Sequence, residues 1–358
     1  MLRFKEFYSI PFNEDIPNGI QAYKASNSFF IGYIKFIKRF LYLFLRGQAK
    51  LKSNKISESV NKILWINISA PSLGDSIMDL SSRYLLKKFK IDLLTSKKNA
   101  FLYKHDSSFN SVFTEENNTI NGDYDLVILD SYSSRTINLK KKISPNSPYV
   151  SMFGYFNGPE VNRVLYSFHR MNQLLSYPYK ASEINALAKP FFFNSSSFTH
   201  EVFSKEYLCF VIGGEWKYRT YNNWKVVIKN ALELYQNLHI CLVGSENGHN
   251  YAKEIMATSN NKQISNFVGK LSFFDTAEVI KNSKIVLCSD GGLMHVSNSF
   301  LIPTVALFAR LKPEMRFTDS SNSFACFDYQ DVNNIPPESV IKKLNFTINL
   351  YYKHLLDE

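Results

Sequence analysis

The sequence predicts an α/β protein with two domains, each built around a parallel β-sheet. The length of 358 residues suits two cores of about 150 residues each. Short apolar runs alternate with segments of helical periodicity in both halves, the pattern of parallel strands joined by crossover helices. A proline followed by a serine and asparagine cluster interrupts this pattern, and we place a linker there, at residues 186–205.

The first domain is predicted to span residues 61–185. It begins with Lys62–Ser69, a continuous apolar run typical of a parallel strand that is buried on both faces. Further strands are expected at residues 91–96 and 125–130, and helices at residues 77–89 and 161–175. The polar, lysine-rich stretch at residues 131–146 is expected to be a loop.

The second domain is predicted to span residues 206–358. Between Trp224 and Tyr235, apolar residues recur at the spacing of one helical face. The last residues, 336–358, are expected to form terminal helices. Strand-like apolar runs lie at residues 207–213, 238–244, 284–289 and 304–309.

Residues 1–60 form a basic N-terminal extension. Residues 29–55 carry seven lysines and arginines and no acid, within a chain of net charge +11. This segment predicts an amphipathic helix that is too short and too charged to span a bilayer but suits an anionic membrane surface. A helix packed on the domain is the alternative, and nucleic-acid binding has no recognisable motif to support it. The residues expected on one basic face are Lys35, Lys38, Arg39, Tyr42 and Arg46.

Composition favours a folded protein from a reducing compartment. Apolar residues make up 45% of the chain and aromatic residues 15%. The cysteines show no metal-binding spacing, and three of the four lie in strand-like runs, so we expect buried reduced thiols. With no secretory signal visible, a cytoplasmic location is expected. The cysteines are Cys209, Cys241, Cys288 and Cys326.

The stretch Ile285–Phe308 combines a buried strand, the turn Asp290-Gly291-Gly292, a short helix and a second buried strand. Glycines before a helix leave backbone N–H groups directed at an anion, and the helix dipole adds to the attraction. Asp290 falls at the carboxyl end of a strand, where open α/β sheets bind their ligands. The alternative is an ordinary turn in which Asp290 only caps the helix.

A second loop, Ser72-Leu73-Gly74-Asp75, follows the first predicted strand. Gly74 allows a ligand to approach the backbone closely. Asp75 lies at a helix start, where its carboxylate could take a proton from a hydroxyl group. Helix capping by Asp75 is again the alternative.

These two loops resemble the signatures of glycosyltransferase family nine, the ADP-heptose:lipopolysaccharide heptosyltransferases. Ser-Leu-Gly-Asp matches the N-terminal signature. The chain departs from the C-terminal signature at Gly291, which lacks a hydroxyl group, and at Ala309-Arg310, where the family usually has Gly-Pro. The matching C-terminal positions are Asp290, Gly291, Gly292, His295, Pro303, Thr304, Leu307 and Phe308.

The resemblance implies a GT-B fold, with two facing Rossmann-like domains, parallel sheets and an interdomain cleft, preceded here by the basic amphipathic helix. Residues 61–185 would bind the acceptor and residues 206–358 the nucleotide sugar. The implied reaction is an inverting transfer of heptose from ADP-heptose to the inner core of lipopolysaccharide or lipooligosaccharide. Asp75 is implied as the general base, with an acceptor-side loop formed by Ser72, Leu73 and Gly74.

The resemblance also implies a cation on the donor diphosphate. Lys217 keeps the family's spacing to an aromatic helix start and is the better candidate, with Arg219 as a substitute. Such a cation stabilises charge as the nucleotide leaves. The alternative for Lys217 is a solvated loop lysine. Glu246 is a candidate for the ribose hydroxyls, although its spacing does not match the family cleanly.

The remaining implied donor contacts lie after the strand at residues 284–289. Asp290 would contact the sugar hydroxyls, while the backbone at Gly291, Gly292 and Leu293 would hold the diphosphate. His295 could reach the phosphates, but a histidine on a helix face is as often a packed structural residue.

No DxD motif stands where metal-dependent glycosyltransferases hold a divalent ion, so we expect a metal-independent reaction that uses no cofactor. The expected location is the inner face of the inner membrane of a Gram-negative bacterium, reached through residues 29–55. Two alternatives remain open: a GT-B transferase that uses another nucleotide sugar, and a non-catalytic GT-B-like protein that binds membrane or a partner. A dinucleotide oxidoreductase is disfavoured because no G-x-G-x-x-G follows either first strand.

Overall fold

The structure is a computed structural model, and it describes residues 9–18, 29–116, 120, 122–258 and 261–352. The chain divides into two units, Met1–Phe193 (unit 1) and Asn194–Glu358 (unit 2). This boundary lies inside the segment at residues 186–205 that the sequence assigns to a linker. Two parts of the predicted extension and the end of the predicted terminal helices lie outside the described residues.

Unit 1 contains a five-stranded parallel sheet with the strand order β3-β2-β1-β4-β5. Its strands are β1 (Lys62–Asn67), β2 (Lys90–Thr95), β3 (Ser111–Thr114), β4 (Leu126–Leu129) and β5 (Tyr149–Ser151). The order reverses at β1 and β4, so the loops after these two strands flank the position where such sheets bind ligands.

Side-chain caps set the start of three helices in unit 1. Ser72, Ser133 and Asn162 each accept a hydrogen bond from the backbone N–H three residues further on. The helices in the described part of unit 1 are α1 (Phe29–Leu45), α2 (Leu73–Asp79), α3 (Lys97–Ala100), α4 (Ser134–Ile143), α5 (Arg163–Leu175) and α6 (Ala181–Leu187).

Unit 2 contains a six-stranded parallel sheet with the order β11-β10-β9-β6-β7-β8, which reverses at β6 and β9. Its strands are β6 (Tyr207–Val211), β7 (His239–Val243), β8 (Ile264–Asn266), β9 (Ile285–Ser289), β10 (Thr304–Ala309) and β11 (Ser323–Asp328). Its described helices are α7 (Trp224–Leu234), α8 (His249–Thr258), α9 (Phe273–Lys281), α10 (Gly292–Ser299) and α11 (Pro337–Tyr351).

The structure corrects two predicted elements of unit 1. The stretch at residues 131–146 is not a loop, because it contains α4, whose Ile137 and Lys140 are buried. The helix expected at residues 77–89 is also wrong in extent: α2 ends at Asp79 and continues as the 3₁₀ helix Ser81–Leu86.

The described residues 29–53 of the N-terminal extension pack against the rest of unit 1. Leu43 of α1 joins the buried cluster that contains Leu64 and Ile66 of β1. After α1, the N–H of Ser53 donates to the carbonyl of Tyr149 at 2.7 Å, so this segment runs beside β5. In the described part of the chain, no helix has the length and apolar character required to cross a bilayer.

All four cysteines are buried free thiols, as the sequence predicts. Burial raises the pKa of each thiol.

Candidate active site

The donor-side candidates of unit 2 follow two neighbouring strands. The loop after β6 contains the 3₁₀ turn Lys217–Arg219, and the loop after β9 leads into α10. The Nη1 atom of Arg219 lies 3.2 Å from the Oδ2 atom of Asp290. An ion pair therefore joins the two loops at the point where the strand order reverses, which is the usual ligand position in such sheets.

Asp290 lies between two guanidinium groups. Its side chain is 3% exposed, and the Nε atom of Arg316 lies 3.6 Å from its second oxygen, Oδ1. The Nε atom of Arg219 is buried and has no hydrogen-bond partner among the described residues. Two arginines around one carboxylate leave excess positive charge, and a buried N–H donor suits an anionic ligand oxygen.

The start of α10 differs from the capping alternative. Gly291 is the N-cap residue, its φ of 178° is extended, and no side chain caps the helix there. The alternative that Asp290 caps the helix is therefore not observed. Leu293 is half-buried and His295 is 2% exposed, so His295 lies on the packed side of α10.

Lys217 and Glu246 are both exposed. No described residue forms an ion pair with Lys217, in contrast to Arg219. Glu246 begins the 3₁₀ turn after β7, the strand on the other side of β6. The structure thus places both residues at the carboxyl ends of the central strands, but it pairs only Arg219 with Asp290.

The loops after β6 and β7 pack tightly against each other. The Nδ2 atom of Asn247 donates to the carbonyl of Gly214 at 2.8 Å. Gly244 has a φ of +146°, and a Cβ atom there would lie 2.1 Å from the carbonyl oxygen of Ile212. Only glycine fits this position, so the close approach of the two loops depends on it.

Arg310, where the sequence departs from the family pattern, adds a further cation at this edge. Its guanidinium carbon lies 3.9 Å from the centroid of the Tyr218 ring, and its Nε atom donates to the carbonyl of Gln330 at 3.1 Å. The guanidinium of Arg219 lies 5.4 Å from the same ring. Cation–π contacts therefore hold two arginines beside Tyr218.

In unit 1, Ser72 rather than Asp75 is the N-cap residue of α2. The N–H of Asp75 donates to Ser72 Oγ at 3.2 Å, and the Ser72 hydroxyl donates to Asp75 Oδ2 at 2.6 Å. The Asp75 side chain remains 17% exposed. The first turn of α2, with Leu73 and Gly74, thus fixes the position of this carboxylate.

Arg163 connects Asp75 to a second carboxylate. Its Nε and Nη2 atoms donate to both oxygens of Asp79 at 2.8 and 2.6 Å, and its Nη1 atom lies 3.7 Å from Asp75 Oδ1. Burial raises the pKa of Asp79, and the Arg163 charge opposes this shift. Asp79 therefore anchors Arg163, which places its third nitrogen beside Asp75.

Asp130, after β4, fixes the loop that leads from β1 to Asp75. Its Oδ2 atom accepts the N–H groups of Ile68 and Ser69 at 3.1 and 2.9 Å, and its Oδ1 atom accepts the Thr136 hydroxyl at 2.8 Å. Asp130, Arg163 and Arg316 were not predicted as site residues from the sequence. Asp130 follows a strand, Arg163 begins a helix and Arg316 ends the 3₁₀ turn Pro313–Met315, but the partners of all three depend on tertiary packing.

Residues 156–331 match the family model of glycosyltransferase family 9 (heptosyltransferase). This match confirms the resemblance to that family, and with the solved structures below it indicates that the chain is a glycosyltransferase. The matched residues include Arg163, Arg219, Asp290 and Arg316. Asp75 precedes the matched region. Among curated proteins, no sequence matches the chain significantly.

Solved structures of family members share the fold. A family 9 glycosyltransferase from Veillonella parvula DSM 2008 has a TM-score of 0.64 at 15% identity and covers 83% of this chain and 100% of its own. E. coli ADP-heptose lps heptosyltransferase II has a TM-score of 0.59 at 19% identity, covering 81% and 99%. E. coli heptosyltransferase WaaC with ADP has a TM-score of 0.57 at 13% identity, covering 82% and 99%. The two parallel sheets confirm the predicted GT-B-type α/β class.

Proposed function

We propose that the protein transfers a heptose from ADP-heptose to the inner core of a lipopolysaccharide or lipooligosaccharide, with inversion and without a metal ion. One observation carries this proposal: Arg219 and Arg316 surround Asp290 where β6 and β9 end. The cluster suits a donor that has both a diphosphate and sugar hydroxyls. We propose ADP-heptose as the donor because E. coli heptosyltransferase WaaC, which shares the fold, has been solved with ADP and with ADP-2-deoxy-2-fluoro heptose.

On the donor side, the cations would stabilise the departing ADP. The bond between the anomeric carbon and the diphosphate oxygen breaks, and negative charge grows on the diphosphate. Arg219, together with Lys217 and the backbone at the start of α10, is proposed to bind that charge. Asp290, held by the two arginines, would accept hydrogen bonds from sugar hydroxyls.

On the acceptor side, Asp75 is proposed to take the proton from the attacking hydroxyl group. The acceptor oxygen then forms its bond to the anomeric carbon from the face opposite the ADP, which inverts the configuration. A positioned base of this kind typically contributes about 10²–10⁴-fold to the rate. Arg163 and Ser72 would keep the Asp75 carboxylate oriented toward the hydroxyl group.

Gly291 supports a second candidate, a transferase that uses another nucleotide sugar. The family pattern has a serine or threonine at this position, and this chain lacks that hydroxyl group. The hydrogen bond that this hydroxyl group would make to the donor is therefore missing. A donor with a different sugar could compensate for this loss through other contacts.

Thermal denaturation in the presence of EDTA, with ADP, ADP-heptose and UDP-, GDP- and CMP-sugars, tests the donor. A ligand at 100 times its Kd stabilises the folded protein by about 2.7 kcal/mol. We expect only ADP and ADP-heptose to raise the melting temperature, and we expect Arg219→Met to reduce this rise. Arg135→Met, an exposed arginine of unit 1, is the matched control.

Stabilisation by a different nucleotide would agree with a glycosyltransferase but would show that the donor is not ADP-heptose. The absence of any nucleotide effect would overturn the donor site proposed around Asp290. Once the donor is fixed, mass spectrometry of a lipooligosaccharide acceptor lacking its heptose would show whether one heptose is added and whether Asp75→Asn prevents this addition.

A further inference from the structure

Helix α1 has two faces with different environments. One face packs on unit 1: Phe36 and Leu43 are each 2% exposed, and the Phe36 ring lies 4.9 Å from the Tyr155 ring. Tyr42 donates a hydrogen bond to Asn138 of α4. These contacts hold the helix on the unit, so its outward face has a fixed orientation.

The outward face of α1 is apolar and exposed. Large exposed apolar residues in contiguous positions are unusual on a soluble surface and mark an interaction site. The exposed fractions are 49% for Ile34, 40% for Phe40, 49% for Leu41, 70% for Phe44 and 78% for Leu45.

Cations lie among these apolar residues. Lys35, Lys38 and Arg46 are exposed, whereas Arg39 and Tyr42, expected on the same basic face, are half-buried. The helix contains no acidic residue, and neither do the following residues up to Lys55. A surface that is both apolar and cationic is complementary to the headgroup region of an anionic bilayer, which attracts lysine and arginine side chains.

A second copy of the chain fits this face less well than a bilayer does. Pairing two α1 helices would bring their exposed lysines together with no acid on either helix to neutralise them. Such like-charge contacts disfavour association. Anionic lipid supplies the missing negative charge and an apolar layer at the same time.

The packed face connects α1 to the edge of unit 1 that carries Asp75. Leu43 of α1 and Ile68, which follows β1, belong to the same buried cluster. Asp130 in turn holds the N–H groups of Ile68 and Ser69 in the loop before α2. The exposed helix and the proposed acceptor-side loop are therefore joined within one unit.

We propose that α1 docks unit 1 on an anionic lipid bilayer, with Leu41, Phe44 and Leu45 entering the boundary between headgroups and acyl chains. Lys35, Lys38 and Arg46 contact the lipid phosphates. The bound helix lies in the plane of the membrane surface. Its 17 residues include three cations, and its opposite face is held against unit 1. The docked surface then presents membrane-embedded acceptors to the edge that carries Asp75. This last point rests on the proposed function, whereas docking itself does not.

Sedimentation with phosphatidylcholine vesicles, with and without phosphatidylglycerol, tests the docking. We expect wild-type protein to bind the phosphatidylglycerol vesicles and to dissociate as salt is added. Combined Leu41→Ser, Phe44→Ser and Leu45→Ser should weaken binding at least ~10-fold, because three apolar side chains no longer enter the bilayer. Val226→Ser with Leu234→Ser, two exposed apolar residues of α7, should leave binding unchanged.

Two double substitutions test the contribution of positive charge to vesicle binding. Lys35→Glu with Lys38→Glu should abolish the preference for phosphatidylglycerol, whereas Lys141→Glu with Lys142→Glu on α4 should not. The proposal would be overturned if both double lysine substitutions reduced vesicle binding equally, or if the wild type did not bind vesicles. So would a dimer in lipid-free buffer that the three serine substitutions dissociate. ADP-induced stabilisation, measured on the same variants, separates failure of docking from failure of the donor assignment.

Discussion

Asp75 and Asp290 both follow a central strand of a parallel sheet at the point where its strand order reverses, yet their surroundings differ. The Asp75 side chain is 17% exposed, bonded to the Ser72 hydroxyl, with one arginine nitrogen 3.7 Å away. The Asp290 side chain is 3% exposed and lies 3.2 and 3.6 Å from two arginines. A partly exposed carboxylate can exchange a proton with a substrate, while a buried carboxylate between cations is suited to binding.

The largest expected effect comes from Asp75→Asn. If Asp75 is the proton acceptor, the transfer rate should fall about 10²–10⁴-fold while the Kd for ADP stays unchanged. Steady-state rates and calorimetric ADP binding measure the two quantities separately. Asp123→Asn, an exposed carboxylate of the same unit, is the control. If the Asp75→Asn protein folds and turns over at the wild-type rate, Asp75 is not the proton acceptor, and the proposed difference in role between Asp75 and Asp290 is wrong.

Asp79→Asn tests the support of Asp75. The substitution leaves Arg163 buried without its bidentate partner, which typically costs about 3–5 kcal/mol of stability. Chemical denaturation should show this loss, whereas Asp75→Asn should change the stability much less because its contact with Arg163 is longer. Similar stabilities of the two variants would contradict an anchoring role for Asp79.

Replacing the donor-side cations one at a time should rank them. Arg219→Met should raise the Kd for ADP about 10–100-fold, since hydrogen bonds to charged groups contribute roughly 1.5–3 kcal/mol. Lys217→Met should have a smaller effect because exposed charges typically contribute about 0–1 kcal/mol. Calorimetry of both variants decides between them, and the reverse ranking would restore Lys217 as the main phosphate contact.

The smallest expected effect comes from Gly291→Ser. Because the φ of Gly291 is 178° and the nearest atom to an added Cβ is 3.8 Å away, stability should change by less than about 0.5 kcal/mol. If the donor lacks only this hydrogen bond, its Kd should fall a few-fold. Gly213→Ser is the contrast: its φ of +91° strains any side chain, so its melting temperature should drop. Unchanged donor affinity in Gly291→Ser would favour a different sugar.

The central strands of both sheets could be predicted from the sequence, and the edge strands could not. The seven predicted strands are all present, whereas β3, β5, β8 and β11 were missed, and each lies at a sheet edge. Central parallel strands are buried on both faces and form continuous apolar runs. Edge strands here are short or half-exposed, so their sequences lack that run.

Helix α4 shows why polarity alone misled the prediction. Lys140 is buried, and its ammonium donates to Gln48 Oε1 at 2.7 Å and to the Pro145 carbonyl at 3.0 Å. Because these acceptors satisfy its ammonium group, Lys140 can occupy a core position where an apolar residue would be expected. The same limit applies to Arg163 and Arg316, whose partners come from distant parts of the chain and have no local pattern.

Helix α1 and the segment after it contribute to the stability of unit 1. A chain shortened to begin at Lys62 would remove Leu43 from the buried cluster that also contains Ile68, and it would remove the Ser53 hydrogen bond to Tyr149. Such a truncation would therefore weaken the scaffold beneath Asp75, even in an assay that contains no membrane.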